Sequence, residues 1–147
     1  MTREQTLIQH FKSMGLSELG ASWLLVLWEM TQTLDDIVDG DEVTRQEKDS
    51  LIFNALVLYP THPYFIQHSA NLAPVVATSI FKWQASDLAE RSGTHNHYSF
   101  VWRAAFYDVI LMVMCLDCGH NYAMENSHLV MAMIGETYTD YKAEFDK

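Results

Sequence analysis

The sequence predicts an all-α fold: a single-domain bundle of about six helices around a central apolar helix. Two observations carry this. No stretch alternates apolar and polar residues in the period of a half-buried strand. The six glycines and three prolines fall between runs whose apolar residues recur at helical spacing. At 147 residues and 49% apolar content, the chain is one domain by length and can bury its own core.

The first helix is expected over residues 3–14, ahead of Gly15. The second takes Ser17 as N-cap and runs to Asp39, where Gly40 stops it. The third opens on Thr44-x-x-Glu47, a capping pattern, and runs to Tyr59 because Pro60 follows. Pro60-Thr61-His62-Pro63 reads as a turn, followed by a short helix to His68. A fourth long helix begins near Pro74, a residue suited to a first turn, and ends at Gly93. The fifth covers 97–118 and is apolar almost all round, which marks it as the central helix. The sixth covers 123–145. Phe106, Met112, Met114, Met131 and Met133 fall at core positions of the last two.

Nineteen acids against nine Lys and Arg leave a net charge of −10, so nucleic acid is not an expected partner. Two cysteines are too few for a disulfide framework and suggest a reducing compartment. The first residues lack the apolar centre of a signal peptide, and the longest apolar run, 109–116, is far too short to insert in a membrane. A cytoplasmic protein is the expectation.

Chemistry concentrates in Leu34-Asp35-Asp36-Ile37-Val38-Asp39-Gly40-Asp41-Glu42. Eight acids lie within residues 29–49, against only Arg45 and Lys48. At about 100° per residue, Asp35, Asp36 and Asp39 share one side of a helix end. Carboxylates there oppose the helix dipole and call for a counter-charge, which a divalent cation would supply. Mg²⁺ or Mn²⁺ held by one or two carboxylates, waters and substrate phosphates fits that chemistry. The other reading is a solvated acidic face, although Asp35 borders the apolar side near Leu24 and Trp28 and needs a partner.

Asp35-Asp36-x-x-Asp39 resembles the first aspartate-rich motif of the class I isoprenoid (trans-prenyl diphosphate) synthases, D-D-x-x-D-x-x-x-x-R-R-G. The resemblance implies that Asp35, Asp36 and Asp39 hold metal ions gripping a substrate diphosphate. Arg45 falls on the second motif arginine and would neutralise the ligand's oxygens, while Thr44 and Gln46 replace the first arginine and the glycine. The family's second motif survives only as Trp83-Gln84-x-x-Asp87, with Leu88 and Arg91 where aspartates would stand. Family members are about twice as long. Through Trp28-Glu29-x-Thr31-Gln32-x-x-Asp35-Asp36 and Lys82-Trp83-Gln84-Ala85-x-Asp87, the whole chain also resembles short helical proteins of tailed phages. That resemblance implies a phage accessory or assembly protein working in the host cytoplasm. The helical nucleotide pyrophosphohydrolases also bind Mg²⁺ with bundled acids, but Ala105 stands where their E-x-x-D glutamate would precede Asp108.

Asp87, Glu90 and Asp108 are the candidates to complete a carboxylate site. Asp108 lies in an apolar run, where a carboxylate is either paired across the bundle or a ligand or base facing the aspartate cluster. Ser79, Trp83, Ser86, Asp87 and Glu90 form one stripe, which reads first as a solvent face and alternatively as the opposite wall of the site. Cys115, Cys118 and His120 could enter a zinc site with His95 or His97. The cysteines sit at a helix C-terminus, where the dipole disfavours thiolates, so they read as core residues and the histidines as loop or capping residues.

Two functions are therefore expected to compete. One is a divalent-metal protein that binds or processes a diphosphate-containing small molecule. The other is a non-enzymatic protein whose acidic face meets a protein partner or a second copy. A metal site brings Asp35 and Asp108 to one cavity. A binding protein leaves Asp36 and Asp39 at the surface and gives Asp108 a lone structural partner.

Overall fold

The computed structural model describes residues 1–146 and is all-α, with no strand among them. The helices are α1 (Arg3–Ser13), α2 (Glu18–Asp39), α3 (Arg45–Phe53), α4 (Tyr59–Thr61), α5 (Pro63–Arg91), α6 (His97–Trp102), α7 (Phe106–Cys118), α8 (His120–Met131) and α9 (Tyr138–Phe145). A π turn, Asn54–Leu58, joins α3 to α4. The chain divides into two compact units, Met1–Ser69 and Ala70–Lys147. No helix among the described residues is long and apolar enough to cross a membrane.

In the first unit, Thr2 and Gln5 close a capping box on α1, and Ser17 caps α2 by accepting from the Gly20 N–H. Gly40 ends α2 at φ 78°, and the Asp41 N–H reaches back to the Asp36 carbonyl at 2.9 Å. A β-carbon would strain that left-handed turn. Contacts with α2 continue from α3 through the π turn to α4, so the chain runs back along α2. The core holds Phe11, Leu16, Trp23, Leu24 and Leu27. Trp23 is fully buried, with Phe65 stacked at 5.9 Å and Tyr59 at 5.6 Å.

Helix α3 begins as expected at Thr44, whose hydroxyl accepts from the Glu47 N–H at 3.1 Å. It does not stop at Pro60. The π turn ends two residues before the proline, and the widened winding lets the helix pass a ring that would crowd the carbonyl four residues back. The break falls instead at His62, with φ −59° and ψ 132°, as is usual before a proline. Nor does Pro74 open a helix: it lies inside α5, which begins at Pro63.

In the second unit the expected fifth helix is two, α6 and α7, parted at residues 103–105. There the N–H groups of Ala104, Tyr107 and Asp108 bond carbonyls three residues back, a tighter winding than the α-helix. The expected sixth helix is also two. Gly135 interrupts it, and Thr137 caps α9 by accepting from the Asp140 N–H at 3.1 Å. Helix α7 buries Val109, Ile110, Val113 and Met114 and packs on α8.

Candidate functional site

Asp35, Asp36 and Asp39 lie in the last turn and a half of α2, with Asp35 and Asp36 partly buried and Asp39 exposed. That turn carries no basic side chain. Arg45, the candidate phosphate ligand, turns to Asp49, its own i+4 neighbour, at 2.9 Å. Farther up α2, desolvation raises the Glu29 pKa, Glu4 adds to it, and a hydrogen bond from the Asn54 side chain opposes both. Among the described residues, no group of three or more His, Cys, Asp or Glu is arranged to hold a metal ion.

The apolar residues beside these acids are more telling. Leu34 lies eleven residues after Trp23 and seven after Leu27, and Val38 eleven after Leu27. At 3.6 residues per turn each pair falls within about 20° on the helix. Leu34 and Val38 therefore continue the stripe that Trp23 and Leu27 bury. Yet Leu34 is 42% and Val38 49% exposed, and Ile37 beside them 44%. On the returning chain Ile52, Phe53 and Leu56 are also exposed. The core stripe of α2 thus emerges into solvent where the aspartates sit.

Asp87, Glu90 and Asp108 belong to the second unit, and each already faces a cation. Asp108 accepts from the Lys82 ammonium at 2.7 Å, a cross-helix ion pair. Arg91 folds back on Asp87 at 2.8 Å. Glu90 lies 3.8 Å from the Arg103 guanidinium, which also meets Glu136 and Glu144, each at 3.7 Å. Burial raises the Glu90 pKa. Arg103 and hydrogen bonds from Tyr141 and Ser86 pull it down, and Glu144 pushes it up.

The stripe read as a solvent face is largely inward. Ser79 is 8% and Ser86 1% exposed, while Ile80, Phe81 and Leu88 of the same helix are out. Ser86 donates to the Ser99 carbonyl at 2.7 Å, and the Ser99 and Tyr141 hydroxyls lie 2.7 Å apart. A buried serine with such partners costs little, so helical polarity alone misassigns this face. Sequence reasoning missed Arg103 as the hub. The available signal was that Arg103 is the lone Lys or Arg within residues 92–141.

No protein-family model, curated protein or solved structure matches this chain. Its chemistry must be read from its own residues. Cys115 and Cys118 form no disulfide among the described residues and are only partly buried, not core residues. Desolvation and the Asp117 charge raise the Cys118 pKa, away from thiolate chemistry. His95 pairs with Asp146 at 2.9 Å, and Asn96 caps α6. Ser22 and His62 lie 3.1 Å apart, but His62 Nδ1 accepts from the Tyr64 N–H. The ring proton of neutral His62 is then on Nε2, facing the serine, which is the wrong side for a general base. A shallow depression of about 500 Å³ is lined by Met1, Gln5, Ile8 and Gln9 and gathers no acid, base or nucleophile.

Proposed function

We propose that this chain is a non-enzymatic binding protein that meets a macromolecular partner through the C-terminal end of α2. One observation carries the reading: the α2 core stripe runs out of its unit at Leu34 and Val38, next to Asp35, Asp36 and Asp39. Exposed contiguous apolar surface is the usual mark of an interaction surface. The pairing of Asp108 with Lys82 and of Arg45 with Asp49 supports the same reading, because both side chains are engaged elsewhere. An accessory or assembly role of the kind implied by the likeness to short phage proteins fits a chain that acts by contact.

A second reading keeps one observation in its favour. The last turn and a half of α2 has three aspartates and its last turn no base, so Mg²⁺ or Mn²⁺ with a diphosphate would offset the negative charge there. Calorimetric titration of either metal, with and without pyrophosphate, separates the two. Wild type and Asp35→Asn/Asp39→Asn are expected to give the same null trace. Saturable binding that pyrophosphate strengthens and the double variant loses would replace the first reading with the second. In parallel, a partner captured by wild type from its native source is expected to be lost with Leu34→Glu/Val38→Glu at unchanged helicity.

A further inference from the structure

We propose that α9 is a pH-sensitive latch on the second unit, held firmly when Glu90 carries a proton and loosened when Glu90 is ionised. The proposal goes beyond the contact-surface reading and does not rest on it, because every group it uses belongs to the second unit. Helix α9 spans eight residues and follows a segment, 132–137, that is neither helix nor strand. Its apolar hold centres on Tyr141, which is fully buried with its ring 5.4 Å from Phe100. Its polar contacts gather around Glu90.

Glu90 is reached from three elements. On its own helix the Ser86 hydroxyl donates to it at 3.3 Å, while Arg91 turns away to Asp87. At the end of α6, Arg103 lies 3.8 Å away. From α9, Tyr141 donates a hydrogen bond and Glu144 adds a like charge. Glu144 and Glu136, the latter in the segment leading into α9, face the same Arg103 nitrogen at 3.7 Å each. Docking α9 therefore gathers three carboxylates about one guanidinium, a net charge of −2 when all are ionised. Just beyond α9, Asp146 pairs with His95 at 2.9 Å. Like charges brought together favour the protonated form. Burial acts in the same direction and raises the Glu90 pKa against the pull of Arg103, Tyr141 and Ser86. When α9 lifts, Glu90 regains water and loses Glu144, so its pKa falls back towards the ordinary value. Docking is then linked to proton uptake. The contribution is fully present below the undocked pKa and is lost as pH rises through the docked one.

The test is amide hydrogen exchange of the full chain between pH 4.5 and 7.5, corrected for the intrinsic pH dependence of exchange. Amides of α9 report its opening, and those of α7 report the stability of the unit's core. In wild type, α9 protection relative to α7 is expected to fall at least threefold as pH rises. Glu90→Gln is expected to abolish that fall. Glu136→Gln/Glu144→Gln, at exposed positions, is expected to cut it at least by half, because it takes away the like charges. His95→Gln is expected to keep it, which separates Glu90 from the His95–Asp146 pair. A smaller fall in wild type, a fall that survives Glu90→Gln, or one lost with His95→Gln overturns the proposal. Should Glu90→Gln lose α7 protection as well, the Glu136→Gln/Glu144→Gln result decides in its place, and an undiminished fall there overturns the latch.

Discussion

Replacing Arg103 by methionine should destabilise the chain by about 2–3 kcal/mol at pH 7, and the loss should shrink on acidification. The guanidinium faces Glu90, Glu136 and Glu144, whose side chains are 13, 37 and 53% exposed. Stranding the most buried of these, Glu90, dominates at about 2 kcal/mol, below the full cost of a deeply buried pair. The two more exposed pairs add at most about 0.5 kcal/mol each. The guanidinium also lies 4.9 Å over the Tyr141 ring, a contact of roughly 0.5–1 kcal/mol. Against these, the Arg103 Nη1 that faces all three carboxylates is buried and has none of them within hydrogen-bond distance, a cost of about 1 kcal/mol that methionine avoids. The pH dependence follows from Glu90, whose pKa burial already raises above 4.5. A carboxyl raised in the folded state contributes most to stability below its unfolded value and loses that contribution as pH rises through the folded value. Removing Arg103 removes the strongest influence holding the pKa down, so the loss on going from pH 4.5 to 7 grows. Urea unfolding at both pH values, followed by far-UV circular dichroism, measures this. Arg103→Met/Glu90→Gln should recover most of the loss at pH 7. A penalty under about 0.5 kcal/mol at pH 7, or one equal at the two pH values, would refute the hub.

Trp23→Ala should cost about 4 kcal/mol by opening a cavity under Tyr59 and Phe65. Trp23→Phe should cost much less, because the indole N–H finds no acceptor among the described residues; thermal melts of the pair check both. Tyr141→Phe removes the hydroxyl 2.7 Å from Ser99 and should lose about 1 kcal/mol in urea unfolding. Lys82→Met should lose no more than about 1 kcal/mol, since both members of its pair with Asp108 are a third or more exposed. A larger loss would mean that Asp108 depends on Lys82 for more than surface pairing.

The helix class and the starts of α2 and α3 were legible because caps are local. Ser17 and Thr44 each need only a backbone N–H three residues on. Helix interruptions were less legible. Pro60 and Pro74 argue for ends by their own sterics, but tertiary packing can hold a helix through a proline at a cost of roughly 3 kcal/mol. The break at 103–105 has no glycine or proline to announce it. Gly135 and Thr137 are the local signals for the start of α9, where Thr137 accepts from the Asp140 N–H. The polar stripe of α5 illustrates the same limit: Ser79 and Ser86 are buried because carbonyls at Val75 and Ser99 satisfy them. The Ser86 partner lies on another helix.

The aspartates of α2 were legible as a cluster, but their role depends on what stands opposite. Bundle metal centres draw acids from several helices onto one ion. Here Asp87, Glu90 and Asp108 are each beside Arg91, Arg103 or Lys82, so recruiting any of them to a metal would first mean displacing a cation. On α2 the acids share a helix end with Leu34, Ile37 and Val38, which are exposed. An apolar helix end of this kind invites self-association. Asp35, Asp36 and Asp39 centre on the other side of α2 from Leu34 and Val38, so only Asp35 flanks that apolar surface and the proposed contact rests on the apolar residues themselves.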